Sequence, residues 1–405
     1  MSSSIELPSG VRYLLVNFAD LSGVMRSKLV PVSAIGQLLR AGAAFAGFAA
    51  NFDLSPADAD VVVHVDASTL KVLPWQSDVA WVTGDVFMDG CPLEQAPRNV
   101  LKKCLRAVEN DGLYLKTGVE AEFFLLSGDS LQISDRLDSQ AKPCYDQLAL
   151  MRRFEFVSEI CDALEQLGWE PYQGDHEDAN GQFEINWAYC GALETADRHA
   201  FFKFAVRSLA EKHGFRATFM PKPFAHLTGN GCHVHLSLWD GADRNLFRKS
   251  NEGDGLSEIG KQFIAGLMQH ASSLCALTNP TVNSFKRLNA TMTDSGATWS
   301  PAAISYAGNN RSHLIRIPDS ERCELRLPDG ATNPYLLQAA VLCAGMSGVM
   351  HALDPGAMSN GNAYANEGST RSTLPPDLRS ALEHLRVNDE LRLLLGTGFV
   401  DSYLN

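Results

Sequence analysis

Four short stretches, far apart in the chain, alternate ionisable and apolar residues so strictly that they constrain everything around them. In Gly118-Val119-Glu120-Ala121-Glu122-Phe123-Phe124-Leu125, the period of two of an extended strand puts Glu120 and Glu122 on one face and Ala121, Phe123 and Leu125 on the other. Gly181-Gln182-Phe183-Glu184-Ile185-Asn186-Trp187 repeats the pattern with Gln182, Glu184 and Asn186 on its polar side, and Asp175-His176-Glu177-Asp178 adds acid just before it. Gly231-Cys232-His233-Val234-His235-Leu236-Ser237-Leu238 sets His233, His235 and Ser237 against four apolar residues. Arg322-Cys323-Glu324-Leu325-Arg326-Leu327 sets Arg322, Glu324 and Arg326 against three. Each strand has one face to bury and one that resists burial. The arrangement expected is a single curved sheet around a charged cavity.

The rest of the chain supplies the frame. Residues 11 to 35 read as a β-hairpin turning at Asp20 to Gly23, and strand-like pieces follow at 61–65, 70–73 and 79–82, closing a small β unit near Pro92 to Pro97. Helical periodicity then takes over at 99–110, 145–167, 199–213, 257–277, 334–352 and 376–395. The expected division is a β-rich unit over 1–97 and a larger α+β unit over 98–405, with no repeats and no low-complexity segment.

Charge narrows the chemistry. With 34 Lys+Arg against 47 Asp+Glu, the formal charge of −13 argues against nucleic acid as a partner. Nine scattered cysteines, an odd number without a Cys-x-x-Cys pair, suit a reducing cytoplasm. The polar start Met1-Ser2-Ser3-Ser4 does not read as a secretory signal, and no apolar stretch is long enough to span a bilayer, so neither membrane nor export is expected.

Taken singly, a Glu-x-Glu strand is usually a solvated face, and an Arg-x-Glu-x-Arg strand usually an ion-pair ladder. Their joint occurrence favours a functional reading. The carboxylates and His233 offer hard oxygen and nitrogen ligands suited to Mg²⁺ or Mn²⁺, and no thiolate cluster competes for zinc. Arg287, Arg311, Arg316, Arg322 and Arg326 can bind phosphate and carboxylate in two-pronged fashion. Metal-binding acids beside clustered arginines are what phosphoryl transfer requires.

These same residues resemble the glutamine synthetase family along essentially the whole chain. The motifs occur in order: Glu120-Ala121-Glu122-Phe123, Gly181-Gln182-Phe183-Glu184, Phe219-Met220-Pro221-Lys222-Pro223, Gly229-Asn230-Gly231-Cys232-His233-Val234-His235, Asn279-Pro280 through Lys286-Arg287, Asn310-Arg311-Ser312, and Arg322-Cys323-Glu324-Leu325-Arg326-Leu327-Pro328-Asp329. The chain is most similar to the type III glutamate-ammonia ligases and γ-glutamylmethylamide synthetases.

The resemblance implies an N-terminal β-grasp-like domain and a catalytic domain with a curved, mainly antiparallel sheet flanked by helices. One ion would sit with Glu122, Glu177 and Glu184 and another with Glu120, His233 and Glu324, roughly two to three per site. Glutamate would be held by Arg287, Arg326 and the backbone at Gly229. ATP phosphates would meet Arg311, Arg316 and His235, with Ser237 and Arg322 nearer the adenosine. The implied reaction is phosphorylation of the γ-carboxylate of L-glutamate followed by attack of an amine. The implied assembly is a homo-oligomer, a hexameric ring or stacked dodecamer with active sites between subunits.

Two positions depart from the pattern of ammonia-using members, which bring two acidic side chains to the amine. Counting back from Asn310-Arg311-Ser312 puts Trp299 where they carry a flap glutamate. Aligning Phe45-Ala46-Gly47 puts Ala46 where a neighbouring subunit would supply an aspartate. A pocket with Trp and Ala is less anionic and suits an amine that carries carbon, whether methylamine, a longer alkylamine or aniline. Two alternatives stay open: ammonia as acceptor, with Asp294 or another flap residue supplying the carboxylate, and a catalytically silent structural or sensing relative.

Overall fold

β-Branched and aromatic residues recur at 13–19, 61–65 and 76–88, and the resulting sheet carries the hairpin read from sequence. The computed structural model describes residues 5–249, 255–301, 303–359, 361–365 and 372–405. Strands β1 (Tyr13–Ala19), β2 (Met25–Pro31), β3 (Ala43–Phe45), β4 (Val61–Val65), β5 (Lys71–Leu73), β6 (Gln76–Met88) and β7 (Cys91–Pro92) form a seven-stranded sheet in the order β2-β1-β6-β4-β3, with β5 and β7 also on β6. The hairpin pairs antiparallel, Asn17 opposite Ser27, whereas β1 and β6 pair in parallel.

Among the described residues ten strands follow: β8 (Leu113–Ala121), β9 (Phe123–Ser127), β10 (Pro171–His176), β11 (Gln182–Trp187), β12 (Cys190–Gly191), β13 (Phe215–Thr218), β14 (Cys232–Asp240), β15 (Tyr306–Ala307), β16 (Ile315–Arg316) and β17 (Cys323–Leu325). They make two sheets, in the orders β12-β8-β14-β17-β16-β15 and β10-β11-β9-β13. The expectation of one sheet is corrected here: three of the four alternating strands share the six-stranded sheet, and the strand bearing Glu184 lies in the other. The break falls at Glu122, between β8 and β9. Its amide donates to the Gly231 carbonyl (3.2 Å), and its side chain accepts from the Gly231 amide (2.8 Å), so Glu122 leaves the ladder and stands where the sheets meet.

Helices cover the apolar faces. The helix Pro334–Met350 begins with proline at its first turn and the Asn333 side chain as its cap, and it is buried on every side from Pro334 to Gly348. It crosses Glu258–Gln269 so closely that a Cβ on Gly348 would lie 2.0 Å from the Gln262 carbonyl, which explains the glycine. Among the described residues no helix is long and apolar enough to cross a membrane. One continuous apolar core runs from Leu14 to Val400.

Three expected helices are each divided. The segment 145–167 breaks at Arg153 (φ −115°), 257–277 at His270, and 376–395 at Asn388, whose side chain caps the helix that follows it. The helix expected from 199 begins at Ala192, and short helices at Ile35–Ala41, Val282–Leu288 and Thr397–Leu404 were not anticipated.

Candidate active site

Strand register assembles the polar faces into a cavity of about 400 Å³. Glu120 lies opposite His233 across β8 and β14, His235 opposite Glu324 across β14 and β17, and Arg316 opposite Glu324 across β16 and β17. Anion therefore alternates with cation or imidazole. His235 Nε2 stands 2.8 Å from Glu120 Oε1, and His233 Nδ1 stands 3.4 Å from Glu120 and 3.7 Å from Glu324. Arg316 and Arg326 each donate to one oxygen of Glu324, at 2.8 and 2.6 Å. Burial opposes charge on both carboxylates, yet the two histidines hold Glu120 well below the usual carboxylate range, and Arg326 with the histidines holds Glu324 below it.

The facing wall is built differently. Register places Asp175 directly opposite Glu184, and Glu177 follows the end of β10, so ligand atoms of the three lie within 4.8 Å of one another. Among the described residues the donors that reach this wall are neutral: Asn186 Nδ2 to Glu184 (3.0 Å), the Asp178 amide to Glu177 (3.2 Å) and Gln173 Nε2 to Asp175 (3.0 Å). Burial, then the charge of Glu122 and Asp175, pushes Glu177 up to about 8. Burial, then Glu120, Glu177 and Glu122, pushes Glu184 well above its ordinary value. A wall of carboxylates that resist ionisation together calls for a cation from outside.

Glu122 stands between the two walls, with Gln182 Nε2 (3.0 Å) and the Gly231 amide on one oxygen and His233 Nδ1 3.9 Å from the other. A Cβ on Gly231 would lie 2.9 Å from both Glu122 Oε1 and His233 Nε2, so only glycine admits both side chains there. Among the described residues, two imidazole nitrogens at this site, His233 Nε2 and His235 Nδ1, are buried without a partner. Crowded carboxylates with two unpartnered ring nitrogens fit hard divalent ions. The clusters that gather are Asp175–Glu177–Glu184 and Glu120–His235–Glu324, whereas the sets expected had Glu122 for Asp175 and His233 for His235; both substituted residues stand alongside.

Arg287 is buried, donating to the carbonyls of Leu327 (3.1 Å) and Arg326 (3.4 Å), and Gly229, Arg311, Arg316, Arg326 and Trp299 also line the cavity. Through Glu120 this cavity adjoins a second of about 320 Å³, which His235, Ser237 and Arg322 line with Tyr172, Trp187, Tyr189 and Trp239. Of the residues expected at the site, Ala46 alone lies in neither: it is exposed just past β3. Asp294 is exposed too and outside the cavity, while Asp178, read only as extra acid, is buried and lines it. Asp175 was likewise read only as extra acid, and the aromatic residues of the second cavity were not assigned to the site. A β10–β11 hairpin pairing Asp175 with Glu184 was the signal for the first, and the aromatics give none without a fold.

A curved scaffold that turns two acid-bearing walls and a set of arginines toward one cavity defines a ligase of the glutamine synthetase family, and the chain belongs to that family. The model of its catalytic domain, described as "Glutamine synthetase, catalytic domain", matches residues 94–405. The chain is 53% identical over 405 residues to a glutamine synthetase of Rhizobium meliloti (strain 1021), covering 99% of this chain and 93% of that protein. It is 43% identical to a glutamate–methylamine ligase of Methyloversatilis universalis, covering 97% and 91%. A solved structure described as a GmaS/ADP complex matches with a TM-score of 0.94 at 54% identity, over 98% of this chain and 92% of that one.

Proposed function

We propose that this enzyme joins the γ-carboxyl of L-glutamate to an organic amine, using ATP. A γ-carboxylate oxygen attacks the terminal phosphorus of ATP, the bond to ADP breaks, and γ-glutamyl phosphate forms. The amine nitrogen then attacks the acyl carbon, phosphate leaves, and the nitrogen loses a proton to give the γ-glutamylamide. Arg287 and Arg326, with the Gly229 backbone, hold glutamate, and Arg311, Arg316 and His235 hold the phosphates, with Ser237 and Arg322 nearer the adenosine. Mg²⁺ or Mn²⁺ held by Glu122, Glu177 and Glu184 and by Glu120, His233 and Glu324 would offset the negative charge that builds on the transferred phosphoryl group. Asp175 is positioned to join the first set.

The observation that carries the acceptor assignment is Trp299. This large apolar side chain lines the same cavity as Arg287 and Arg326, where a carboxylate would serve ammonium, and Asp294 stands outside it. Similarity to a glutamate–methylamine ligase and to GmaS supports the same reading. Ala46 belongs to it as the contribution of a neighbouring subunit in a ring oligomer, with the division at 97/98 separating the donating domain from the catalytic one. The second reading, ammonia as acceptor, is favoured by the relative at 53% identity that bears the name glutamine synthetase. Phosphate release with ATP, glutamate and Mg²⁺ separates the readings when run with ammonia, methylamine, ethylamine, isopropylamine and aniline. A higher kcat/KM for an organic amine is expected; preference for ammonia would overturn the assignment, and no release with any amine would point to a silent relative.

A further inference from the structure

Trp299 holds a backbone conformation that bulky residues seldom adopt, with φ of 55°, in the left-handed region. A residue stays there when its surroundings over-determine it, and here they do. The indole Nε1 donates to Asp178 Oδ2 at 2.6 Å. The same oxygen accepts from Thr228 Oγ (3.0 Å) and from the Ser295 hydroxyl. Ser295 belongs to the segment that leads into Trp299, and Thr293 Oγ further ties that segment to itself through the Ala297 carbonyl (2.5 Å). On the other side Arg326 Nη2 reaches the Trp299 carbonyl at 3.4 Å. One buried carboxylate thus gathers the flap, the indole and the cavity wall at a single atom.

We propose that Asp178 is a specificity-determining positioning residue for the amine acceptor: it fixes Trp299 across the acceptor pocket, and the indole in turn, together with the Thr228 and Ser295 hydroxyls, fills the acceptor capacity of a carboxylate oxygen that lines the cavity. Two functions follow from one hydrogen bond. The aromatic ring is held as an apolar wall for a carbon-bearing amine, and the anionic oxygen of Asp178 is kept from serving as a small-cation site. The inference deepens the acceptor reading and rests on it.

The test compares kcat and KM for methylamine and ammonia, at saturating ATP and glutamate, in Trp299→Phe, Asp178→Ala, Asp178→Asn and the double variant Asp178→Ala/Trp299→Phe. Trp299→Phe keeps an aromatic ring but removes the N–H donor together with the five-membered ring that bears it, so the double variant is what separates the hydrogen bond from the lost volume. Trp299→Phe is expected to shift the methylamine-to-ammonia ratio of kcat/KM about tenfold toward ammonia, chiefly through a raised KM for methylamine. Asp178→Ala is expected to raise the same KM, and in the double variant that KM should be no higher than in the worse single variant, because both remove one contact. Asp178→Asn keeps an acceptor oxygen for the indole and is expected to recover most of the methylamine KM lost in Asp178→Ala; an Asn variant as impaired as the Ala variant would overturn the proposal.

An unchanged ratio in Trp299→Phe, or multiplicative effects on the methylamine KM in the double variant, would overturn the proposal. Should Asp178→Ala fail to fold, Trp299→Phe and Asp178→Asn decide alone. The two levels fail separately: a wild type that prefers ammonia removes the acceptor reading, whereas the latch is judged by the change from wild type to variant.

Discussion

The two walls of the cavity use the same residue type and arrive at opposite electrostatics. On β8, β14 and β17 each carboxylate faces an imidazole or a guanidinium, and Glu120 and Glu324 are held ionised by partners the chain itself supplies. On β10 and β11, Asp175 faces Glu184 with Glu177 beside them, and burial together with like charge raises the affinity of Glu177 and Glu184 for protons. One wall is neutralised from within, and the other waits for a cation. The proposed binding of an anionic nucleotide together with divalent ions would draw on both.

The contrast can be broken most severely at its centre. Glu122→Ala should lower kcat by roughly 100-fold or more and weaken metal-dependent ATP binding, since it removes the carboxylate that stands between the walls. Equilibrium binding of ATP with and without Mg²⁺ checks this, and retained affinity and activity would mean that Glu122 serves no ion.

The acid wall should also appear in the pH dependence of stability. Glu177 titrates near 8 in the folded protein against an ordinary 4.5, so between those values the folded chain holds more protons than the unfolded one. The contribution is full below about 4.5, and stability of the ion-free protein should fall as pH rises toward about 8. Mg²⁺ should reverse the trend, raising Tm more at pH 8 than at pH 6; an equal rise at both would contradict a protonated acid wall.

At the rim, Trp299→Glu should improve kcat/KM for ammonia relative to methylamine by about tenfold, because a carboxylate attracts the small hydrated cation. An unchanged preference would remove Trp299 from the acceptor pocket. A last effect, read in stability and not in activity, concerns the support behind the acid wall. Asp138 accepts from the Gly181 amide (2.5 Å) and Asn180 (2.9 Å) and pairs with buried His176 (2.7 Å), holding the turn that carries Glu177 and Asp178. Asp138→Ala should cost about 1–3 kcal/mol by denaturant unfolding, through donors left unsatisfied.

Much of this was readable in the chain. Period-two alternation gave the faces of Glu120, Glu184, His233 and Glu324 because each strand buries one side only. The division into two sheets was not readable, because it depends on Glu122 turning its side chain to the Gly231 amide, a contact made across more than a hundred residues. Asp175 was underrated since its meaning comes from register with Glu184, and Asp178 since its partners, Thr228, Ser295 and Trp299, meet only in the fold. Helix breaks at Arg153, His270 and Asn388 escaped because apolar periodicity continues through them.

The most direct test of the unequal walls is calorimetric titration of Mn²⁺ at pH 7, in buffers of different ionisation heat, with wild type and Glu177→Gln. Proton release on ion binding is expected in the wild type, and less of it in the variant. Ion binding without proton release, or equal release in both proteins, would contradict an acid wall kept protonated until a cation arrives.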